Sequence, residues 1–180
     1  MKKRALPNIL AILGAVFIGV SLLYPWWSLD IDIIGKTNIF PYIIRGPATQ
    51  LLGYRRTPQM PLLTGFLAAC ILLALVGSVL GRRAGRLALL GAGLFSGLAA
   101  WRFYVRALDI AGRYGMTSVN GQSIARLSAF SPLRVAARLE PGFYWNLAGG
   151  VVCLLALLLH GVFRPAAPKT TEGPASDAPS

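Results

Sequence analysis

The chain has 180 residues, of which 55% are hydrophobic and only 13% charged, against about a quarter charged in an average soluble domain. A water-exposed fold of this size keeps too much area in solvent to hide that apolar content, which excludes a soluble enzyme, a disordered protein and a disulfide-stapled secreted domain and calls for a bilayer. Eighteen Lys and Arg against six Asp and Glu give +12, but the basic residues flank apolar segments, where anionic lipid is the nearer partner, and form no nucleic-acid module.

Met1-Lys2-Lys3-Arg4 opens the chain like a signal peptide, but the apolar run ends in Tyr24-Pro25-Trp26-Trp27 with no small-x-small cleavage site, so an uncleaved first membrane helix is expected. A helix needs about 20 mostly apolar residues to span the hydrocarbon core. Four segments qualify, at about 6–24, 61–80, 87–104 and 143–162. In the first, Pro7 and Asn8 fall in the opening turn, where a missing N–H costs little. The fold class is thus an all-α membrane protein: a four-helix transmembrane bundle over residues 1–164, followed by a disordered cytoplasmic tail at 165–180 that is rich in Pro, Ala, Ser and Thr.

Four spans put both termini on one side with the short Arg82-Arg83-Ala84-Gly85-Arg86 turn, and that side is densest in charges next to spans. The orientation rule then places the termini in the cytoplasm and the protein in the plasma membrane. Trp26, Trp27, Trp101 and Trp145 fall at span ends on the opposite side and are expected to anchor at headgroup depth. Small residues recur within each span: Gly65, Ala69, Gly77 and Gly81 in the second, Gly93 and Gly97 in the third, Gly149 in the fourth, and Ala11, Ala15 and Gly19 in the first. They suit close helix packing, chiefly within the bundle. The 82–86 turn sets spans two and three antiparallel.

Each long outer loop, 25–60 and 106–141, carries a strand signal. Leu29-Asp30-Ile31-Asp32-Ile33 alternates, with Gly35-Lys36 as a turn toward Thr37–Phe40. Met116–Val119 and Gln122–Ile124 flank Asn120-Gly121, a tight-hairpin signal. Isolated hairpins are marginal, so the two are expected to pair into one extracytoplasmic sheet that caps the bundle. Short helices are expected around Ala48–Tyr54 and over Leu133–Leu139, the latter bounded by Ser131, Pro132 and Pro141. The third helix should continue past the membrane, because Asp109 is spaced to pair with Arg106 and Arg113. A membrane helix ending in tryptophan, an outer sheet and three more helices resembles the layout of claudin-type four-helix proteins. The paired loop cysteines and the Gly-Leu-Trp signature of that group are missing, and the resemblance carries over no residue and no function.

Little in the spans can do chemistry. His160, the only histidine, falls at the end of the fourth span without a second histidine or a carboxylate. Cys70 and Cys153 lie in apolar segments as small hydrophobes, so neither a disulfide nor a metal site is expected. Asp30 and Asp32 share one face of a strand and are the one candidate cation pair, reminiscent in placement of the acidic motif of polytopic glycosyltransferases, though a solvated polar face is the simpler reading. Arg55, Arg56, Arg102, Arg106, Arg134 and Arg138 are the candidates for contact with anionic lipid or a partner protein. The expected function is a non-enzymatic accessory or assembly subunit, without cofactor or nucleic acid, whose partners are the bilayer and other membrane subunits or itself. An oligomeric channel or transporter subunit is second, and a lipid-modifying enzyme using Asp30 and Asp32 third.

Overall fold

A computed structural model describes residues 7–47, 49, 57–125 and 132–159. Its elements are α1 (Ile9–Ser21), β1 (Trp27–Ile31), β2 (Gly35–Ile39), β3 (Ile44–Arg45), α2 (Gln59–Val79), α3 (Arg82–Arg113), β4 (Gly121–Ala125), β5 (Leu133–Leu139) and α4 (Pro141–Leu159). Helices α2, α3 and α4 are long and apolar enough to cross a membrane; α1 is apolar but shorter.

The Asn8 side chain caps α1 by accepting from the Ala11 amide at 3.4 Å. The 13 residues of α1 rise only about 20 Å at 1.5 Å each. The chain then tightens, Leu22 and Leu23 donating to the carbonyls of Gly19 and Val20, and Pro25 blocks further helix by disfavouring that backbone at Tyr24. At the other extreme α3 has 32 residues, about 48 Å, well beyond the ~30 Å hydrocarbon core. Its extra turns protrude, and Asp109 pairs there with Arg106 at 2.7 Å and Arg113 at 3.3 Å, as the spacing requires.

The helices pack in the cyclic order α1–α2–α3–α4. At one end the Asn8 amide donates to the Ser78 carbonyl, and its side-chain amide to the Ala156 carbonyl, each at 3.0 Å. That gathers the start of α1 with the ends of α2 and α4. All strands lie at the opposite end. The α1–α4 crossing depends on glycine: a Cβ on Gly149 would sit 2.7 Å from Ile18 Cγ1 and 2.9 Å from the Gly14 carbonyl oxygen. Gly93 meets Leu154 and Gly77 meets Leu89 in the same way. Of the other stripe residues, Ala11 and Ala15 are buried in the core, but the rest do not pack inside. Ala69 is exposed, and a Cβ on Gly65, Gly81 or Gly97 would meet nothing within 4 Å. Only part of each stripe faces a neighbour, because one helix cannot bury all its sides in a ring of four.

The two outer loops join in one open antiparallel sheet of order β3-β2-β1-β5-β4. Its strands and turns depart from expectation in four places. Leu133–Leu139 is a strand, not a helix, alternating buried Leu133, Val135, Ala137 and Leu139 with exposed Arg134 and Arg138. Consequently β4 pairs with β5, and Met116–Val119 is not a strand: Met116 and Val119 are buried in the core. Asn120-Gly121 makes no hairpin either; Gly121 starts β4, and Asn120 Oδ1 extends the ladder by accepting from the Leu139 amide. In the first loop the turn is Asp32–Ile34 rather than Gly35-Lys36, and Gly35 begins β2. Ile33 sits in that turn with φ 74°, an unfavourable conformation for a β-branched residue. Most of the short helix expected at Ala48–Tyr54 lies outside the described residues, as do the terminal tail and His160.

The sheet's inner face, with Trp27, Leu29, Ile31, Leu133, Val135, Ala137 and Leu139, shares one core with Ala107 and Ala111 on the protruding part of α3. The α3 extension is thus the support on which the cap is built.

Candidate functional site

Alternation sends every second residue of the sheet outward. Register then aligns Arg45, Asn38, Ser28 and Arg138 in one row, and Lys36, Asp30, Ala136 and Gln122 in the next. The outer face is therefore polar, mixed in sign and dominated by cations.

Glu140 organises the rim of this face. It stands directly between β5 and α4, and it is 5% exposed. Its Oε1 accepts from the Ser28 hydroxyl at 2.7 Å and from Lys36 Nζ at 2.8 Å, while Oε2 accepts from Arg138 at 3.5 Å. Burial alone pushes the carboxyl pKa up, but the hydrogen bonds from Lys36 and Ser28, with the charges of Lys36 and Arg138, outweigh it and hold the group below the usual carboxylate range. One side chain thus ties β1, β2 and β5 to the first turn of α4, where a negative charge also suits the helix dipole. Sequence reasoning missed Glu140, since a lone Glu before Pro-Gly looks like a solvated turn.

The candidate arginines divide. Arg102 and Arg106 are exposed on α3, Arg106 held by Asp109. Arg134 and Arg138 are exposed on the outer sheet face, turned away from α3, with Arg134 bonded to Gln122 and Arg138 to Glu140. Arg55 and Arg56 lie outside the described residues. The four described arginines therefore form two separate sets.

Asp30 and Asp32 are both exposed. Asp30 stands opposite Lys36 and Ala136 in the ladder. Asp32, just past β1, donates its amide to the Arg134 carbonyl at 2.9 Å and lines a shallow groove of about 540 Å³ with Gln122, Ser123, Ile124, Pro132 and Arg134. No group of three or more His, Cys, Asp or Glu able to hold a metal occurs among the described residues. Cys70 and Cys153 are buried free thiols.

The tryptophans also divide. Trp101 and Trp145 are exposed, at 63% and 38%, as headgroup anchors need to be. Trp26 and Trp27 are instead buried, 0% and 1% exposed. Trp26 Nε1 donates to the Ser21 carbonyl at 3.0 Å and its ring packs edge-on against Phe103 and Phe143. Trp27 Nε1 donates to the Val119 carbonyl at 2.9 Å. Both fill the joint between helices and sheet, because the chain turns back into the sheet at Pro25. Buried between α3 and α4 lies another unforeseen pair: Ser96 donates to Asn146 Oδ1 at 3.0 Å, and the Asn146 amide donates back to the Ser96 carbonyl at 3.1 Å.

No protein-family model and no curated protein matches the chain.

Proposed function

We propose that the protein is a four-span plasma-membrane protein, with both termini in the cytoplasm, that acts as an accessory or assembly subunit through its outer cap and its outward small-residue helix faces. The open edge of the cap carries this reading. Strand β4 ends the sheet with one side unpaired among the described residues, and the groove beside it is flanked by Ile124, 71% exposed, and the Ile33 turn, 92% exposed. Unpaired edges and exposed apolar side chains on a water-facing surface are features that interaction sites use and that free proteins usually cover.

Membrane insertion is supported by the belt of exposed Leu62, Leu72, Leu87, Leu94 and Leu158 around the helices. For α1, the extra turn to Leu23 and the position of Asn8 beside Ser78 and Ala156 support a span the same depth as its neighbours. Gly65, Ala69 and Gly97 on outward faces offer close approach to another helix.

Crosslinking in intact membranes, gentle detergent extraction and native mass spectrometry test this reading. A stable heteromeric or homomeric complex, lost in Ile124→Lys, is expected. A partnerless monomer from crosslinked membranes would overturn it.

A further inference from the structure

The two edges of the sheet are finished differently. Strand β3 is two residues long, includes Arg45 and is soon followed by Pro47; short, charged edges next to proline resist further pairing. Strand β4, Gly121–Ala125, is five residues long and has neither a charge nor a proline. Its backbone directions follow from its neighbours. The Leu139 amide points to Asn120, whereas the Glu140 amide points to Trp26. Odd-numbered residues of β5 therefore turn their backbone to β4, and even-numbered ones turn it to β1. Through the register, Gly121 and Ser123 face β5, and the N–H and C=O groups of Gln122 and Ile124 face away from the sheet. No described strand lies on that side.

Charge says what fits there. Arg134 stands opposite Ile124 but donates to Gln122 Oε1, one position along β4, so its guanidinium lies over the edge strand. Among the described residues it makes no ion pair. Its acceptor is neutral, which leaves most of its N–H donors to a carboxylate. On this face and its rim Lys36, Arg45, Arg134 and Arg138 outnumber Asp30, Asp32 and Glu140, and Glu140 is already taken by Lys36 and Arg138. The exposed Ile124 side chain and Pro132 add an apolar lining to the groove.

We propose that β4 receives an extended acidic segment of a partner protein as an added antiparallel strand. An acidic side chain of that segment meets Arg134, and an apolar one two residues away packs beside Ile124, because alternate residues share a face. The occupant is not a second copy. Gly121 pairs with Ala137 near α4 and Ala125 with Leu133 at the far end, so β4 runs away from the helices. Copies in one bilayer share that direction, and the stronger antiparallel ladder needs a strand running the other way. The inference rests on the reading of the cap as an interaction site in a membrane-spanning subunit.

The probe is a blocked, fluorescent nonapeptide with threonine at odd positions and valine and glutamate alternating at even ones. It is titrated by anisotropy against the purified full chain in detergent. The glutamate peptide should bind, its glutamine counterpart about tenfold more weakly, the size of one charge-assisted hydrogen bond, and its lysine counterpart more weakly again. A fully N-methylated glutamate peptide should not bind. Arg134→Gln should reduce the glutamate peptide to the level of the glutamine one. Ile124→Pro removes an outward N–H and leaves the β5 ladder intact, and it should abolish binding. No binding of the glutamate peptide, equal binding of the lysine or N-methylated peptide, or full binding by Ile124→Pro would overturn the proposal. If Ile124→Pro melts lower than the parent, the N-methylated peptide decides the same question with the parent chain. Crosslinking in intact membranes separates the two readings. A partnerless monomer refutes the interaction site itself, whereas a stable complex from a chain that ignores the glutamate peptide refutes only the added strand. A homomeric complex lost in Ile124→Pro makes the occupant a second copy and likewise refutes the acidic partner.

Discussion

Replacing Glu140 is expected to loosen the cap and its tie to the start of α4. In Glu140→Gln an oxygen remains for Ser28, but the charge facing Lys36 and Arg138 is gone. The Lys36 side chain is 47% exposed and Arg138 72%, so solvent screens both, and a charged hydrogen bond of ~2–3 kcal/mol is discounted to about 1.5 kcal/mol. Glu140→Ala also strands the Ser28 hydroxyl, only 4% exposed, adding about 1–2 kcal/mol for a buried unsatisfied donor. In a chain of this size 1 kcal/mol moves the melting midpoint roughly 2–4 °C. The expected losses are therefore about 4 °C for Gln and about 9 °C for Ala. Tryptophan fluorescence reads them, since Trp27 is buried beneath the same sheet. The pH dependence gives the sharper check. The folded carboxyl lies below its ordinary pKa, so its contribution is complete above the ordinary carboxylate range and falls away as pH drops through that range toward the folded value. The gap between parent and Glu140→Gln should accordingly be widest at neutral pH and close in acid. A gap that is absent at pH 7, or unchanged at about pH 3, would refute the reasoning.

Further substitutions probe other levels of the structure. Gly149→Ala forces a Cβ to within 2.7 Å of Ile18 and should cost about 1–3 kcal/mol, whereas Gly65→Ala, with open space at its Cβ, should leave the midpoint unchanged or raise it; parallel thermal melts compare them. Asn146→Leu leaves Ser96 without its side-chain acceptor and should cost about 0.5–2 kcal/mol, with Ser96→Ala in the same background adding little in a double-mutant cycle. Ile33→Asn relieves a β-branched residue at φ 74° and should stabilise the turn by about 1 kcal/mol, seen as slower amide exchange at Ile34, whose N–H closes it.

The apolar helices were legible because twenty-residue hydropathy has no competing reading, and Asp109 between two arginines correctly extended α3 beyond the length a span needs. The cap was legible in outline, with β1 and β2 close to their expected places. Leu133–Leu139 failed for a specific reason. Arg134 and Arg138 are four apart, which puts them on one face of a helix and equally on one face of a strand. The flanking prolines and Ser131 favoured the helix, and tertiary pairing with Trp27–Ile31 decided for the strand. Trp26 and Trp27 were misplaced because hydropathy locates a span's end but not whether the chain then turns into solvent or back into the protein. Glu140 and the Ser96–Asn146 pair were invisible for another reason: their partners lie 112 and 50 residues away, and no local pattern marks such meetings.

The junction at Pro25 and Gly142 has a mechanical meaning. The Glu140 amide donates to the Trp26 carbonyl and the Gly142 amide to the Pro25 carbonyl, each at 3.0 Å. A Cβ on Gly142 would come within 2.5 Å of the Tyr24 carbonyl oxygen. The ladder between β1 and β5 therefore runs straight into the packed pair α1 and α4, with no slack residue between strand and helix on the α4 side. There is no hinge where sheet meets helix on that side. A load applied to the outer sheet is transmitted as tilt of α1 and α4 together, and its lever arm ends where Asn8 meets Ala156.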